Sequence, residues 1–325
     1  MTVAVPAVAI NEKGGEDSPP FFFDIMIQDD KIIQKLDTAD DLLKQGKYGE
    51  AIALLENIHG IYPREESVLL RLAWASWDNG DKACAISYWE MLLDRELQRK
   101  VFTGFAYDEL VRIYKQERQN EKLVALCEKA VSVQTQDVGL LEELGTAYFL
   151  AGRSDKACDV FKKLASLEED NPAFWCRLGE ALFAAGRAEE SETAYLQAGK
   201  IDPEQVDRYY FKIADLFARD GRHAEAKRLL EKCTAANPSQ PLYYCCLGDE
   251  LIGLGKTDEA LLAYETAARL DQGSAGTYYN RMGNTFMKEK LFGRAAAAFQ
   301  KAIDYENLPP YCQNLAAARK ALGQT

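Results

Sequence analysis

Small residues return along this chain at a fixed interval. Ala51, Ala85, Ala157, Ser191, Ala226, Ala260 and Ala295 are separated by steps of 34, 72, 34, 35, 34 and 35, and the 72-residue step hides a degenerate unit with Leu123 at the small position. A second series runs in phase. Ala39, Ala73, Val111, Gly145, Gly179, Ala214, Gly248 and Gly283 each precede a member of the first series, or Leu123, by 12 residues. Around both series, apolar positions such as Leu141, Leu144 and Tyr148 recur at helical spacing with polar residues between them. A helix of about 13 residues, a tight turn and a second similar helix bring the two small positions face to face, where the helix axes cross. Val111 and Leu123 are too large for a close crossing, which predicts a wider third hairpin. Gly46, Gly80, Gly152, Gly186, Gly221 and Gly255 fall in the hairpin turns, where a left-handed residue is needed. Pro63, Pro203 and Pro238 follow second helices, where a helix is free to end.

The pattern predicts eight hairpins, starting near Ile32, Glu66, Gly104, Val138, Pro172, Asp207, Pro241 and Gly276. About four extra residues lie between the second and third, within 94–103, and are expected to form a protruding loop. The flanks do not repeat. Residues 1–30 read as a flexible tail, in which the stretch from Asn11 to Pro20 is polar and rich in helix breakers and an abrupt apolar segment follows at 21–27 (Phe21, Phe22, Phe23, Asp24, Ile25, Met26, Ile27). Repeats occupy 31–309. Residues 310–325 carry one apolar face (Tyr311, Leu315, Ala318, Leu322), as expected of a helix capping the last repeat.

In the fifth unit, Trp175, Leu178, Gly179, Leu182, Ser191, Tyr195, Ala198 and Pro203 fall in one register; Tyr244, Leu247, Gly248, Leu251, Ala260, Tyr264 and Ala267 repeat it in the seventh. The pattern resembles the tetratricopeptide-repeat (TPR) motif over about residues 32–309. The resemblance implies an all-α fold, a right-handed superhelical solenoid of about eight helix-turn-helix repeats with a C-terminal capping helix. It also implies a protein- or peptide-binding adaptor, because a solenoid offers an extended surface along its length.

Charge and chemistry narrow this. A formal net charge of -12 speaks against binding nucleic acid or anionic lipid, both of which need basic excess. No positively charged leader and no apolar run near 18 residues are present, so no membrane insertion and a cytoplasmic location are expected. The eight cysteines show no CxxC pair and read as reduced, mostly buried thiols. His59 and His223 lack a partner motif and are expected on the solvated surface. With no GxxxxGK[ST], HExxH or GxSxG, no enzyme activity, cofactor or metal is expected.

In TPR proteins the first helix of each hairpin lines the concave groove, and repeat positions 2, 5, 6 and 9 face it. Position 6 reads Asp37, Arg71, Glu109, Glu143, Arg177, Lys212, Cys246, Arg281, and position 9 reads Asp40, Trp74, Arg112, Thr146, Glu180, Asp215, Asp249, Asn284. The Lys and Asn arrangement with which some TPR co-chaperones hold a C-terminal carboxylate is absent. Charge over the four positions is acidic in hairpins one to four and near neutral to basic in five to eight. The expected ligand stripe is therefore Arg177, Glu180, Arg208, Phe211, Lys212, Asp215, Asp249, Asn280, Arg281 and Asn284, either receiving a peptide or with its charges paired to one another. Arg208 and Arg281 are both expected to be exposed. The alternative function is a self-assembling scaffold, a homo-oligomer in which segment 21–27 docks on a neighbouring chain.

Overall fold

The computed structural model describes residues 30–100 and 102–323. The apolar segment 21–27 lies outside them. Among the described residues the chain forms seventeen α-helices and no strands. Sixteen make eight hairpins: α1 (Asp30–Lys44) with α2 (Tyr48–Ile61), α3 (Glu66–Asp78) with α4 (Lys82–Arg99), α5 (Phe105–Gln116) with α6 (Asn120–Val133), α7 (Val138–Leu150) with α8 (Ser154–Leu167), α9 (Pro172–Ala184) with α10 (Ala188–Ile201), α11 (Val206–Arg219) with α12 (His223–Ala236), α13 (Pro241–Gly253) with α14 (Thr257–Leu270), and α15 (Ala275–Lys288) with α16 (Phe292–Tyr305). Helix α17 (Pro309–Ala321) packs on α15 and α16 through buried Tyr311, Leu315 and Ala318, while Leu322 stays largely exposed.

The chain divides into two compact units, Met1–Ile113 and Tyr114–Thr325. The third hairpin spans the division, with Val111 on one side and Leu123 on the other. In the first unit Ile32, Leu36, Ala39, Leu55, Ile58, Val68 and Leu72 share one core. Trp89 is fully buried there and meets Trp74 edge-on at 5.4 Å. In the second unit each helix packs on the next, and first helices of successive hairpins also touch, α9 on α11 and α13 on α15.

The close crossings have a specific cause. In four hairpins a glycine packs directly against an aromatic ring sixteen residues later. A Cβ on Gly145 would sit 2.8 Å from Phe161, on Gly179 2.6 Å from Tyr195, on Gly248 2.6 Å from Tyr264 and on Gly283 2.5 Å from Phe299. The rings are all buried. The partner expected twelve residues on also approaches: Ser191 Oγ donates to the Gly179 carbonyl at 2.7 Å, satisfying a hydroxyl that is wholly buried. The hairpin turns hold six left-handed glycines. The third and eighth turns place Arg118 (φ 55°) and Lys290 (φ 58°) in the same conformation without one.

The loop expected at 94–103 is instead mostly helix. Helix α4 runs on to Arg99 and ends in left-handed Lys100, because Glu96, Leu97, Gln98 and Arg99 are good helix formers with no breaker among them. Glu96 is buried there and accepts from the Thr103 hydroxyl and, at 3.3 Å, from its amide. Burial raises its pKa, and these two bonds oppose the rise.

Candidate functional groove

The ten residues of the expected stripe lie on the first helices α9, α11, α13 and α15. Four of them, Phe211, Asp215, Asp249 and Arg281, share one cleft of about 80 Å³, together with Cys246 and Glu250. Phe211 is half-buried, its ring tilted against Tyr243 at 5.2 Å. Arg208 and Lys212 are exposed on the same helix; Arg208 donates to Gln205 at 2.8 Å. Asn280 accepts from the Asn314 amide at 2.9 Å, and Asn284 is exposed. Arg177 and Glu180 lie apart from the cleft on α9 and pair with each other at 3.3 Å.

Arg281, expected to be exposed, is paired within the stripe. It is half-buried, because Asp249 on the neighbouring first helix accepts from both its Nε (2.8 Å) and its Nη2 (2.7 Å), and Nη2 also reaches Cys246 Sγ at 3.3 Å. Asp249 accepts further bonds from the Tyr264 and Thr285 hydroxyls, so the carboxylate is surrounded by donors. Burial works against the Arg281 charge, but the Asp249 carboxylate overrides it and holds the guanidinium more firmly protonated. Burial, reinforced by Asp249, drives the Tyr264 phenol well above its usual range. Burial pushes the Cys246 thiol up to about 11, against the pull of Arg281, so it stays a neutral thiol at physiological pH.

Two histidines expected in solvent are partly buried. His223 Nδ1 lies 2.7 Å from Glu250 Oε2, and its ring packs against Gly253, where a Cβ would meet it at 2.9 Å. Glu250 is buried; desolvation raises its carboxyl pKa, and the His223 bond opposes the rise. His59 is half-buried, and burial followed by Arg95 lowers its pKa. Among the described residues no three His, Cys, Asp or Glu side chains come together as a metal-binding group, and no helix is long and apolar enough to cross a membrane.

Among the described residues the same clasp also joins the first helices of hairpins one and two. In the first unit Arg71 donates to both oxygens of Asp40, at 2.8 and 3.1 Å. Asp40 and Arg71 occupy repeat positions 9 and 6 of consecutive hairpins, as Asp249 and Arg281 do. A side chain from one repeat is thereby pinned to the next by a bidentate, charge-assisted pair.

Comparison with known proteins fits this architecture. Family models described as tetratricopeptide repeat match residues 36–96, 148–216, 207–240 and 247–310. The Arabidopsis thaliana protein high chlorophyll fluorescent 107 is 32% identical over 97 residues, which are 28% of this chain and only 15% of that protein. A tetratricopeptide repeat protein from Parabacteroides merdae is similar in structure at 18% identity, with 78% of this chain and 98% of that one aligned and a TM-score of 0.47. YrrB, described as a TPR protein with an unusual peptide-binding site, aligns over 60% of this chain and 97% of its own at 16% identity and a TM-score of 0.39. With repeat models matching well over half of its length, this chain belongs to the tetratricopeptide-repeat family.

Proposed function

We propose that this protein is a non-catalytic adaptor that binds a peptide or protein segment along the first helices of its second unit. The observation that carries the reading is the cleft between α11, α12, α13 and α15, where an aromatic wall, carboxylates and a guanidinium converge. Tertiary structure already holds two of its charged side chains: Arg281 is pinned by Asp249, and Glu250 by His223. A partner therefore meets groups whose rotamers are fixed, and less ordering entropy is lost on binding. A neutral, high-pKa Cys246 and paired carboxylates supply no activated nucleophile, which supports a binding role over catalysis. Eight free thiols are in keeping with a cytoplasmic setting.

Arg281 is a poor residue for testing the groove by charge reversal, because a carboxylate there would face Asp249. Phe211→Ser tests it better, with Leu262→Ser on the second helix α14 as control, since Leu262 is 66% exposed and outside the cleft. Partner capture from the native cell should fall at least about tenfold for Phe211→Ser at unchanged helicity and stay level for Leu262→Ser. Equal capture by both folded variants would move the site away from these helices.

A further inference from the structure

The clasp between repeat position 9 of one hairpin and position 6 of the next identifies a junction where it is incomplete. At the first junction Asp40 is closed by Arg71, and at the seventh Asp249 is closed by Arg281. At the junction of hairpins six and seven the acid is present as Asp215, but position 6 holds Cys246, a neutral thiol. Asp215 turns instead to Arg219 one helical turn away, at 2.6 Å, in a pair whose side chains are 41% and 74% exposed. A surface pair of this kind is worth only a few tenths of a kcal/mol and is readily exchanged.

The cleft lies at this junction. Asp215, Cys246 and the Phe211 ring line it, with Asp249, Glu250 and Arg281 around them. Its three carboxylates face one guanidinium. Asp249 is saturated by Arg281, Tyr264 and Thr285, and Glu250 is held by His223, so the group open to a visitor is Asp215 beside an aromatic face. A volume of about 80 Å³ admits the tip of one side chain. A carboxylate and an aromatic ring together favour a cation.

We infer that this cleft takes a lysine or arginine side chain of the bound segment, which fills at the six–seven junction the place that Arg71 and Arg281 fill at theirs. The inference rests on the groove reading above and adds the chemistry of the partner's anchor residue. It also gives a use to Asp215, which lines the cleft without the arginine that closes Asp40 and Asp249.

The test uses the full chain, immobilised, and a phage-displayed library of random dodecapeptides. Peptides selected by the wild type should share a lysine or arginine. Asp215→Asn should bind them about tenfold more weakly or worse, with an unchanged melting curve, because its carboxylate is exposed and only a surface pair is lost. Cys246→Arg, which supplies the missing cation from within, should block them equally; if it does not fold, Asp215→Asn alone decides. Selected peptides with no cationic requirement, bound equally by Asp215→Asn, overturn the inference and leave the groove reading standing. If the folded wild type selects no peptide, the groove reading fails and the inference goes with it.

Discussion

Gly179→Ala adds one methyl group to this protein, and the structure indicates where it must go. The new Cβ would lie 2.6 Å from Tyr195 Cε2 and 2.7 Å from Cδ2, whereas ordinary contact begins at 3.4 Å, so the ring has to retreat by about 0.8 Å. Tyr195 is 1% exposed and enclosed by the core of hairpins five and six, so its movement displaces Cys176 and Ile213 in turn. Overpacking of this kind costs roughly 1–3 kcal/mol. The better helix propensity of alanine returns at most about 1 kcal/mol. The expected net is a loss of about 1–2 kcal/mol, read by urea unfolding followed by circular dichroism, with amide exchange rising in α9 and α10. Gly293→Ala is the control: nothing lies within 4 Å of its Cβ, and it should be neutral or slightly stabilising. Combining Gly179→Ala with Tyr195→Leu recreates the pairing that hairpin six carries as Ala214 and Leu230, so the double variant should lose less than the sum of the singles. A Gly179→Ala protein as stable as wild type, or strictly additive singles, would refute the ring-over-glycine account of the crossings.

Asp249→Asn should cost about 1–3 kcal/mol, because it leaves half-buried Arg281 without its charged acceptor; exchange should rise in hairpins seven and eight, and no change there would contradict the clasp. Burial holds the Glu250 carboxyl above its usual range, so the folded chain binds that proton more tightly than the unfolded chain does. Its charge therefore costs stability at neutral pH, and the cost is relieved as pH falls through the raised value. Glu250→Gln removes this component, so the stability difference, variant minus wild type, should shift in the variant's favour as pH rises from about 4.5 to 7; a flat difference would show that the charge is not desolvated. Lys290→Gly should stabilise the eighth hairpin by roughly 0.5–1 kcal/mol, because a left-handed lysine is strained where six other turns use glycine; a lower melting temperature would argue that the lysine side chain matters more than its backbone.

The repeat was legible because six of the seven steps between its eight units are 34 or 35 residues, so single substitutions do not obscure it. Helix starts at Glu66, Val138, Pro172 and Pro241 follow directly from that spacing. The twelve-residue pairing of small positions was legible too, and Ser191 bonding to the Gly179 carbonyl realises it. Its physical reason was not, since the ring that forbids a Cβ at Gly179 comes from Tyr195, sixteen residues away. The extension of α4 was missed because a helical stretch of the wrong repeat length looks like an insertion, and insertions are read as loops. In the groove, periodicity placed Phe211, Asp215, Asp249 and Arg281 on one stripe and left open that its charges pair with one another, but it did not name Asp249 as the partner of Arg281. His223 and Glu250 were missed because a bond between a second helix and the following first helix joins two different registers of the repeat. Comparing position 9 of each hairpin with position 6 of the next offers three pairs with the acid first, Asp40 with Arg71, Glu180 with Lys212 and Asp249 with Arg281, and sequence alone does not show that Glu180 turns to Arg177 instead.

The central claim, that a partner lies along the first helices of the second unit, is tested most directly by photo-crosslinking in the native cell. A benzophenone side chain replaces Lys212 or Asn284 on the first helices, or Leu262 or Arg294 on the second helices α14 and α16; all four residues are exposed. The account predicts one crosslinked partner shared by the Lys212 and Asn284 positions and absent from the other two. Crosslinks arising only from Leu262 or Arg294 would contradict it and place the interaction on the second-helix face.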